Sequence, residues 1–210
     1  MSVTGVILAG GQSTRYGGLP KGLERVGHAR IIDRVRAALD PVVDDLLMIA
    51  NDARASEWMP DVRVAGDILR DVGSIAGIHA ALVHAQSSVL VVAWDMPFVT
   101  ADLLRGIRDA GYGADAAVPE SDSRRGLEPL CAYYSPPCIT AIQGRIAAGD
   151  RRVNAFYDDV HMVRVPADVV ATFGDPAFLF MNVNTPDERE RAEAHATSAD
   201  GGRDRQEAQR

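Results

Sequence analysis

The sequence predicts a three-layer α/β fold on a largely parallel sheet, and three observations carry that prediction. Apolar runs of strand length alternate with segments whose apolar residues recur at helical spacing. One run, 89–93, is apolar throughout, as expected of a parallel strand covered on both faces. The first apolar run opens directly into a glycine-rich loop, which places that loop at the carboxyl edge of a sheet, where α/β proteins bind ligands.

Residues 3–8 read as the first strand, and 29–39 as a helix with Ile31, Ile32, Val35 and Leu39 at helical spacing. Strands at 46–50 and 62–65 follow, then a helix at 75–85 with Ile75, Ile78, Leu82 and Val83 on one face. After strand 89–93, Thr100 is an N-cap for a helix through residue 110. Residues 114–119 and 129–134 read as strands bracketing a polar loop, 139–148 as a helix, and 161–165 and 178–183 as strands. Pro186 suits the first turn of a closing helix. Residues 1–196 make one domain, and 197–210, which carry no apolar face, read as a disordered tail.

Composition narrows the function classes. A chain of 210 residues with 47% hydrophobic and 24% charged residues has the profile of a globular enzyme-sized domain. The net charge of −7 argues against a general nucleic-acid or anionic-membrane binder. No 18-residue apolar run and no leader pattern is visible, so a cytoplasmic location is expected. Cys131 and Cys138 fit no metal spacing and read as small buried hydrophobes. His28, His79, His84, His161 and His195 form no ligand spacing.

The chemistry concentrates in residues 8–21, which spell L-A-G-G-x-S-x-R-x-G-G-x-x-K. Glycines let backbone N–H groups turn toward an anion with no Cβ in the way. Arg15 and Lys21 supply positive charge for a polyphosphate. The dinucleotide fingerprint is absent, because Gly10 and Gly11 are adjacent and Thr14 stands where a third glycine would be. The Walker pattern fails too, since Lys21 follows Pro20 and precedes Gly22.

Four further blocks accompany the loop: Ala93-Trp94-Asp95-Met96-Pro97-Phe98, Glu128-Pro129-Leu130-Cys131-Ala132, Gly149-Asp150-Arg151-Arg152-Val153 and Asn182-Val183-Asn184-Thr185-Pro186. Together they resemble the molybdenum cofactor guanylyltransferases of the nucleotidyltransferase superfamily, over roughly residues 3 to 193. The resemblance implies a Rossmann-like, glycosyltransferase-A-like fold. It also implies transfer of GMP from GTP to the phosphate of molybdopterin, a Mg²⁺ cofactor, and proteins of molybdenum cofactor biosynthesis and acceptor enzymes as partners.

The same resemblance assigns residues. Asp95, Lys21 and Arg15 become the catalytic set, with Asp95 the metal ligand; Leu8, Ala9, Gly10, Gly11, Lys21, Asn51, Asp67, Gly77 and Asp95 line the nucleotide; and Arg151, Arg152, Asn182 and Asn184 take the acceptor. Independent reasons exist for several. Asp95 ends the most hydrophobic strand, with Pro97 stiffening the turn that presents it. Asn182 and Asn184 alternate along a segment read as extended, which sets both on one face. Small residues in Gly73-Ser74-Ile75-Ala76-Gly77 let a nucleotide approach a helix start that Ser74 would cap.

Pro20-Lys21 departs from the family's Asp-Lys pair and is more usual in cytidylyltransferases, so a cytidylyl donor remains an alternative. A non-catalytic nucleotide-binding adaptor is another, and intact Lys21 and Asp95 argue against it.

Overall fold

All seven residues of the first strand, β1 (Val3–Ala9), are buried, as its unbroken apolar character demands. The structure, a computed structural model, describes residues 2–10, 20–122 and 126–207. A 3₁₀ turn (Lys21–Leu23) leads into a small hairpin, β2 (Arg25–Val26) and β3 (Ala29–Arg30), and then α1 (Ile31–Leu39). Next come β4 (Asp45–Ala50), α2 (Ala55–Trp58), β5 (Arg63–Ala65), α3 (Ser74–Ala85), β6 (Ser88–Ala93) and α4 (Ala101–Ala110). The second half carries β7 (Ala116–Pro119), β8 (Cys131–Tyr134), α5 (Cys138–Ala147), β9 (Met162–Val165), α6 (Ala167–Ala171), α7 (Pro176–Leu179) and α8 (Pro186–Glu207).

One sheet of order β5-β4-β1-β6-β8-β7-β9 contains every strand except the hairpin. β5, β4, β1 and β6 run parallel, β8 is antiparallel to both of its neighbours, and β9 is parallel to β7. The strand order reverses at β1: two crossovers step outward to β4 and β5, and the third returns to β6 on the opposite side. A crevice therefore opens at the carboxyl ends of β1 and β6, the place where such sheets bind ligands.

The three layers follow from alternation along the strands. Ile7, Met48, Leu90 and Val92 face α1 and α4, packing with Ile32, Val35, Leu39, Leu103, Leu104 and Ile107. Val6, Leu8, Leu47, Ile49, Val89 and Val91 face α3 and α5, meeting Ile75, Ile78, Leu82 and Ile142. Complete burial of each of these aliphatic side chains contributes about 1.5–3 kcal/mol. Thr100 caps α4 as expected, its Oγ1 accepting the Leu103 N–H at 3.2 Å. Both cysteines are buried, and burial pushes each thiol pKa up, which keeps them unreactive.

Three expectations are corrected. The first helix begins at Ile31, because Ala29 and Arg30 pair with the preceding strand across a turn in which Gly27 has φ of 62°. Residues 178–183 are not a strand. Asp175 accepts the Ala177 N–H at 2.9 Å and Pro176 opens a short helix, so helix-starting chemistry prevails over the apolar run that follows. Ser74 does not cap α3; Gly73, with φ of 87°, holds that position without a side chain. The closing helix extends to Glu207, beyond the boundary read from composition, and Ala196 is buried. No helix among the described residues is long and apolar enough to cross a membrane.

His79 of α3 is only 2% exposed, with Nε2 set 3.0 Å from the Gln143 side-chain nitrogen and Nδ1 unpartnered. Burial, reinforced by His84, lowers its pKa below the ordinary imidazole value. The folded state thus holds this ring neutral, whereas the unfolded chain protonates it near pH 6.5, so stability is lost as pH falls through about 6.5. His79→Leu should lessen the drop in unfolding midpoint between about pH 7 and pH 5. Equal drops in parent and variant would place the acid sensitivity elsewhere.

Candidate active site

The crevice between β1 and β6 is assembled by backbone first. The Trp94 N–H donates to the Leu8 carbonyl at 3.2 Å, tying the two strand ends together just before Asp95. Among the described residues, a Cβ built on Gly10, just past the end of β1, would meet nothing within 4 Å. Gly11 and Arg15 lie outside the described residues.

Lys21 is placed by its neighbour. Gly22 lies flat against the Trp94 indole, so close that a Cβ there would stand 2.5 Å from Cε3. Trp94 in turn stacks on Trp58, ring centroids 5.3 Å apart. Only glycine permits this approach, and the 3₁₀ turn it allows closes through the Leu23 N–H to the Pro20 carbonyl at 2.9 Å. The result delivers the Lys21 ammonium to the Asn184 Oδ1 at 2.6 Å.

Asn184 arrives from the other end of the chain. Val183 N–H donates to the Asp95 carbonyl at 2.9 Å, and the Asn184 side chain lies near enough to the Asp95 carboxylate to favour its charged form. Burial raises the Asp95 pKa, while its backbone hydrogen bond, Lys21 and Asn184 oppose that rise and Glu188 adds to it. Asp95 is thus a carboxylate whose charge is under-compensated by the protein alone.

Glu188 was not anticipated from the sequence. Its Oε2 accepts the N–H groups of Asn184 at 2.7 Å and Thr185 at 2.9 Å, while Thr185 Oγ1 accepts the Glu188 N–H at 3.2 Å. This is a capping box, and Thr185-Pro186-Asp187-Glu188 carries its signature. The box fixes the backbone from which Asn184 reaches Lys21 and Asp95.

A second group forms at the carboxyl ends of β4 and β5. Asn51 Nδ2 donates to Asp67 Oδ2 and the Asp67 N–H donates to Asn51 Oδ1, both at 2.8 Å. Gly77, on the buried side of α3, leaves room here: a Cβ there would lie 3.5 Å from Leu8 Cδ2 and 3.9 Å from Asp67 Oδ1. Leu8, Gly77 and the loop residues Asn51 and Asp67, which follow β4 and β5, therefore converge where the sequence reading expected a nucleotide site, and Ala9 ends the strand beside them.

The four expected acceptor residues do not gather in one place. Asn184 joins Lys21, but Asn182 Nδ2 donates to its own Phe180 carbonyl at 3.3 Å. Arg151 donates to the Asp71 carbonyl at 3.1 Å, beside the loop that enters α3. Arg152 is 75% exposed and pairs with Asp150 at 2.6 Å, a contact that holds the Asp150 carboxyl down to about 2. Glu128 accepts the Ser121 hydroxyl at 2.6 Å, away from these groups.

Among the described residues no cluster of three or more His, Cys, Asp or Glu side chains could enclose a metal ion. The oxygen donor that faces the strand end is the Asp95 carboxylate, since the Asn184 amide oxygen accepts from the Lys21 ammonium at 2.6 Å. A single hard carboxylate fits Mg²⁺, which takes one or two carboxylates and fills its octahedron with substrate phosphates and water.

The two tryptophans of the stack are the only two in the chain, so tryptophan emission reports on this site alone. Gly22→Ala should drive the Lys21 turn off the indole and alter tryptophan emission. Triphosphate affinity should fall about 10- to 100-fold, the loss expected for one charge-assisted hydrogen bond. Unchanged emission together with unchanged affinity would show that the stack does not position Lys21.

Comparison with known proteins agrees with this architecture. The family model described as MobA-like NTP transferase domain matches residues 5–165. A probable molybdenum cofactor guanylyltransferase from Pelotomaculum thermopropionicum is 36% identical over 97% of this chain and 98% of its own length. A molybdenum cofactor guanylyltransferase from Desulfosudis oleivorans is 34% identical over 92% and 95%. The crystal structure of molybdopterin-guanine dinucleotide biosynthesis protein A from Archaeoglobus fulgidus superposes with a TM-score of 0.77 at 30% identity, covering 93% of this chain and 99% of that one. With its phosphate-loop sequence, its β1–β6 crevice and these full-length relatives, the chain belongs to the MobA-like NTP transferase family, a family of nucleotidyltransferase enzymes.

Proposed function

We propose that the protein transfers GMP from GTP to the phosphate of molybdopterin, yielding molybdopterin guanine dinucleotide and pyrophosphate. The observation that carries this reading is the chain of contacts Lys21–Asn184–Asp95 at the carboxyl ends of β1 and β6. The names of the full-length relatives supply the substrates. An oxygen of the acceptor phosphate attacks the α-phosphorus of GTP; a new P–O bond forms as the bond to the bridging oxygen breaks, and pyrophosphate leaves with that electron pair. The nucleophile is already an anion, so no general base is required, and positioning with charge neutralisation supplies the catalysis.

Each residue then has a task. Lys21 neutralises triphosphate charge, and Arg15 in the preceding loop adds to it. Asp95 would hold a divalent cation, Mg²⁺, which when bound would draw charge off the phosphate oxygens, while Asn184 keeps the Lys21 ammonium in place. Leu8, Ala9, Gly10 and Gly11 pass the backbone close to the phosphates, while Asn51, Asp67 and Gly77 border the nucleoside. Pro20 before Lys21 favours one second reading, a cytidylyl donor, and the base is therefore the property to test first.

GTP with Mg²⁺ should raise the unfolding midpoint more than CTP, ATP or UTP. A ligand at a hundredfold excess over its Kd stabilises the native state by about 2.7 kcal/mol. A larger shift with CTP, accompanied by pyrophosphate release, would replace the guanylyl assignment with the cytidylyl one.

Asp95→Asn should reduce turnover by roughly 10²–10³, the usual loss when one electrostatic element is removed from a polar active site. Its unfolding midpoint without metal should not fall, because the amide removes a charge that burial disfavours. Turnover within a few-fold of the parent would exclude Asp95 from the site. The raised carboxyl pKa also predicts that Mg²⁺–GTP affinity increases with pH across the acid range, as the competing proton is lost. Asp95→Asn should lessen that dependence, leaving the part that belongs to the titrating triphosphate.

A further inference from the structure

The capping box at the start of α8 carries more charge than capping requires. Glu188 Oε2 accepts the Asn184 and Thr185 N–H groups at 2.7 and 2.9 Å, and that task needs only an oxygen, which a glutamine also supplies in such a box. Nor does the helix dipole call for a second anion, because Asp187, exposed in the same first turn, already provides one. The Glu188 charge is surplus to the fold.

That charge stands at the reaction centre. Asn184, whose N–H it accepts, holds the Lys21 ammonium at 2.6 Å, and the preceding Val183 N–H is bonded to the Asp95 carbonyl at 2.9 Å. The two hydrogen bonds to Oε2 thus fix Glu188 close enough for its charge to oppose ionisation of Asp95. Among the described residues at this strand end, two carboxylates face one ammonium. Such a balance attracts a divalent cation and repels a bare triphosphate, which brings several negative charges of its own. A cation on the triphosphate cancels part of that repulsion.

Resting on the nucleotidyl-transfer reading above, with its divalent cation on Asp95, we propose that Glu188 is a specificity-determining residue that makes nucleotide binding depend on the cation. Its carboxylate, fixed by the Asn184 and Thr185 N–H groups, favours metal at Asp95 and disfavours the metal-free triphosphate. It acts by its field and is not itself a ligand. Lys21 receives the phosphates once the cation has offset that field.

The test measures two affinities of the full-length protein by calorimetry: Mn²⁺ without nucleotide, and GTP in the presence of EDTA. Parent, Glu188→Gln, Asp187→Asn and Asp95→Asn are compared. Glu188→Gln keeps the capping oxygen, so its unfolding midpoint should not fall. It should weaken Mn²⁺ binding about threefold or more and tighten metal-free GTP binding by a similar factor, the size of one unit charge acting across a partly solvated site. Asp187→Asn removes an exposed charge from the same helical turn and should change neither constant by more than about twofold. A purely structural role cannot move the two constants in opposite directions. Unchanged constants in Glu188→Gln would leave Glu188 a cap, and a loss in both would make it a prop for Asn184; either result overturns the inference and leaves the metal on Asp95. Mn²⁺ bound as tightly by Asp95→Asn as by the parent, or not bound by the parent at all, would instead remove the Asp95 metal reading and the inference with it.

Discussion

A carboxylate held at the end of a fully buried strand must be compensated, and much of this molecule is arranged around that need. β6 is covered on both faces, so Asp95, two residues beyond it, emerges with little access to water. The protein supplies one ammonium and one amide against it and sets a second carboxylate, Glu188, close enough to oppose them. A structure selected for stability alone would place an apolar or neutral residue there. The residual negative potential at the crevice is what a divalent cation and its triphosphate would relieve, which is why the same feature is a liability in the empty protein and an asset in the proposed reaction.

Two devices hold the compensating groups in place. The first is the Trp58–Trp94–Gly22 stack, which uses rigid aromatic area to fix the turn carrying Lys21. The second is a small apolar cluster of Val26, Ile31, Met181, Val183, Ala192 and Ala196, outside the main sheet. It binds the β2–β3 hairpin to α8, and Phe98 and Phe178 pack against it. Because Val183 belongs to this cluster and bonds the Asp95 carbonyl, packing energy from outside the main sheet is converted into the position of Asn184. A Rossmann-like sheet provides the strand ends; the hairpin and closing helix turn one of them into a reaction centre.

The sheet and its two helical layers were legible because alternation and helical spacing are local properties, and residues 89–93 announced the central strand by composition alone. Asn51, Asp67 and Gly77 were also found, since each ends or begins an element at the same sheet edge. Residues 178–183 were misread because Phe178, Met181 and Val183 look like strand, whereas the Asp175-Pro176 start makes a helical turn and leaves the rest to reach Asp95 unpaired with any strand. Arg151 and Arg152 are neighbours in sequence but answer to different partners, a separation that spacing does not encode. Glu188 carried a visible capping signature; its proximity to Asp95 depends on the tertiary path of α8 and was invisible.

The most direct test of this account is a crystal structure of the protein with a non-hydrolysable GTP analogue and manganese, located by its anomalous signal. The account predicts the metal on the Asp95 carboxylate, the triphosphate within hydrogen-bonding reach of Lys21, and the nucleoside beside Asn51 and Asp67. A triphosphate bound away from the β1–β6 crevice, or a metal site that excludes Asp95, would contradict it.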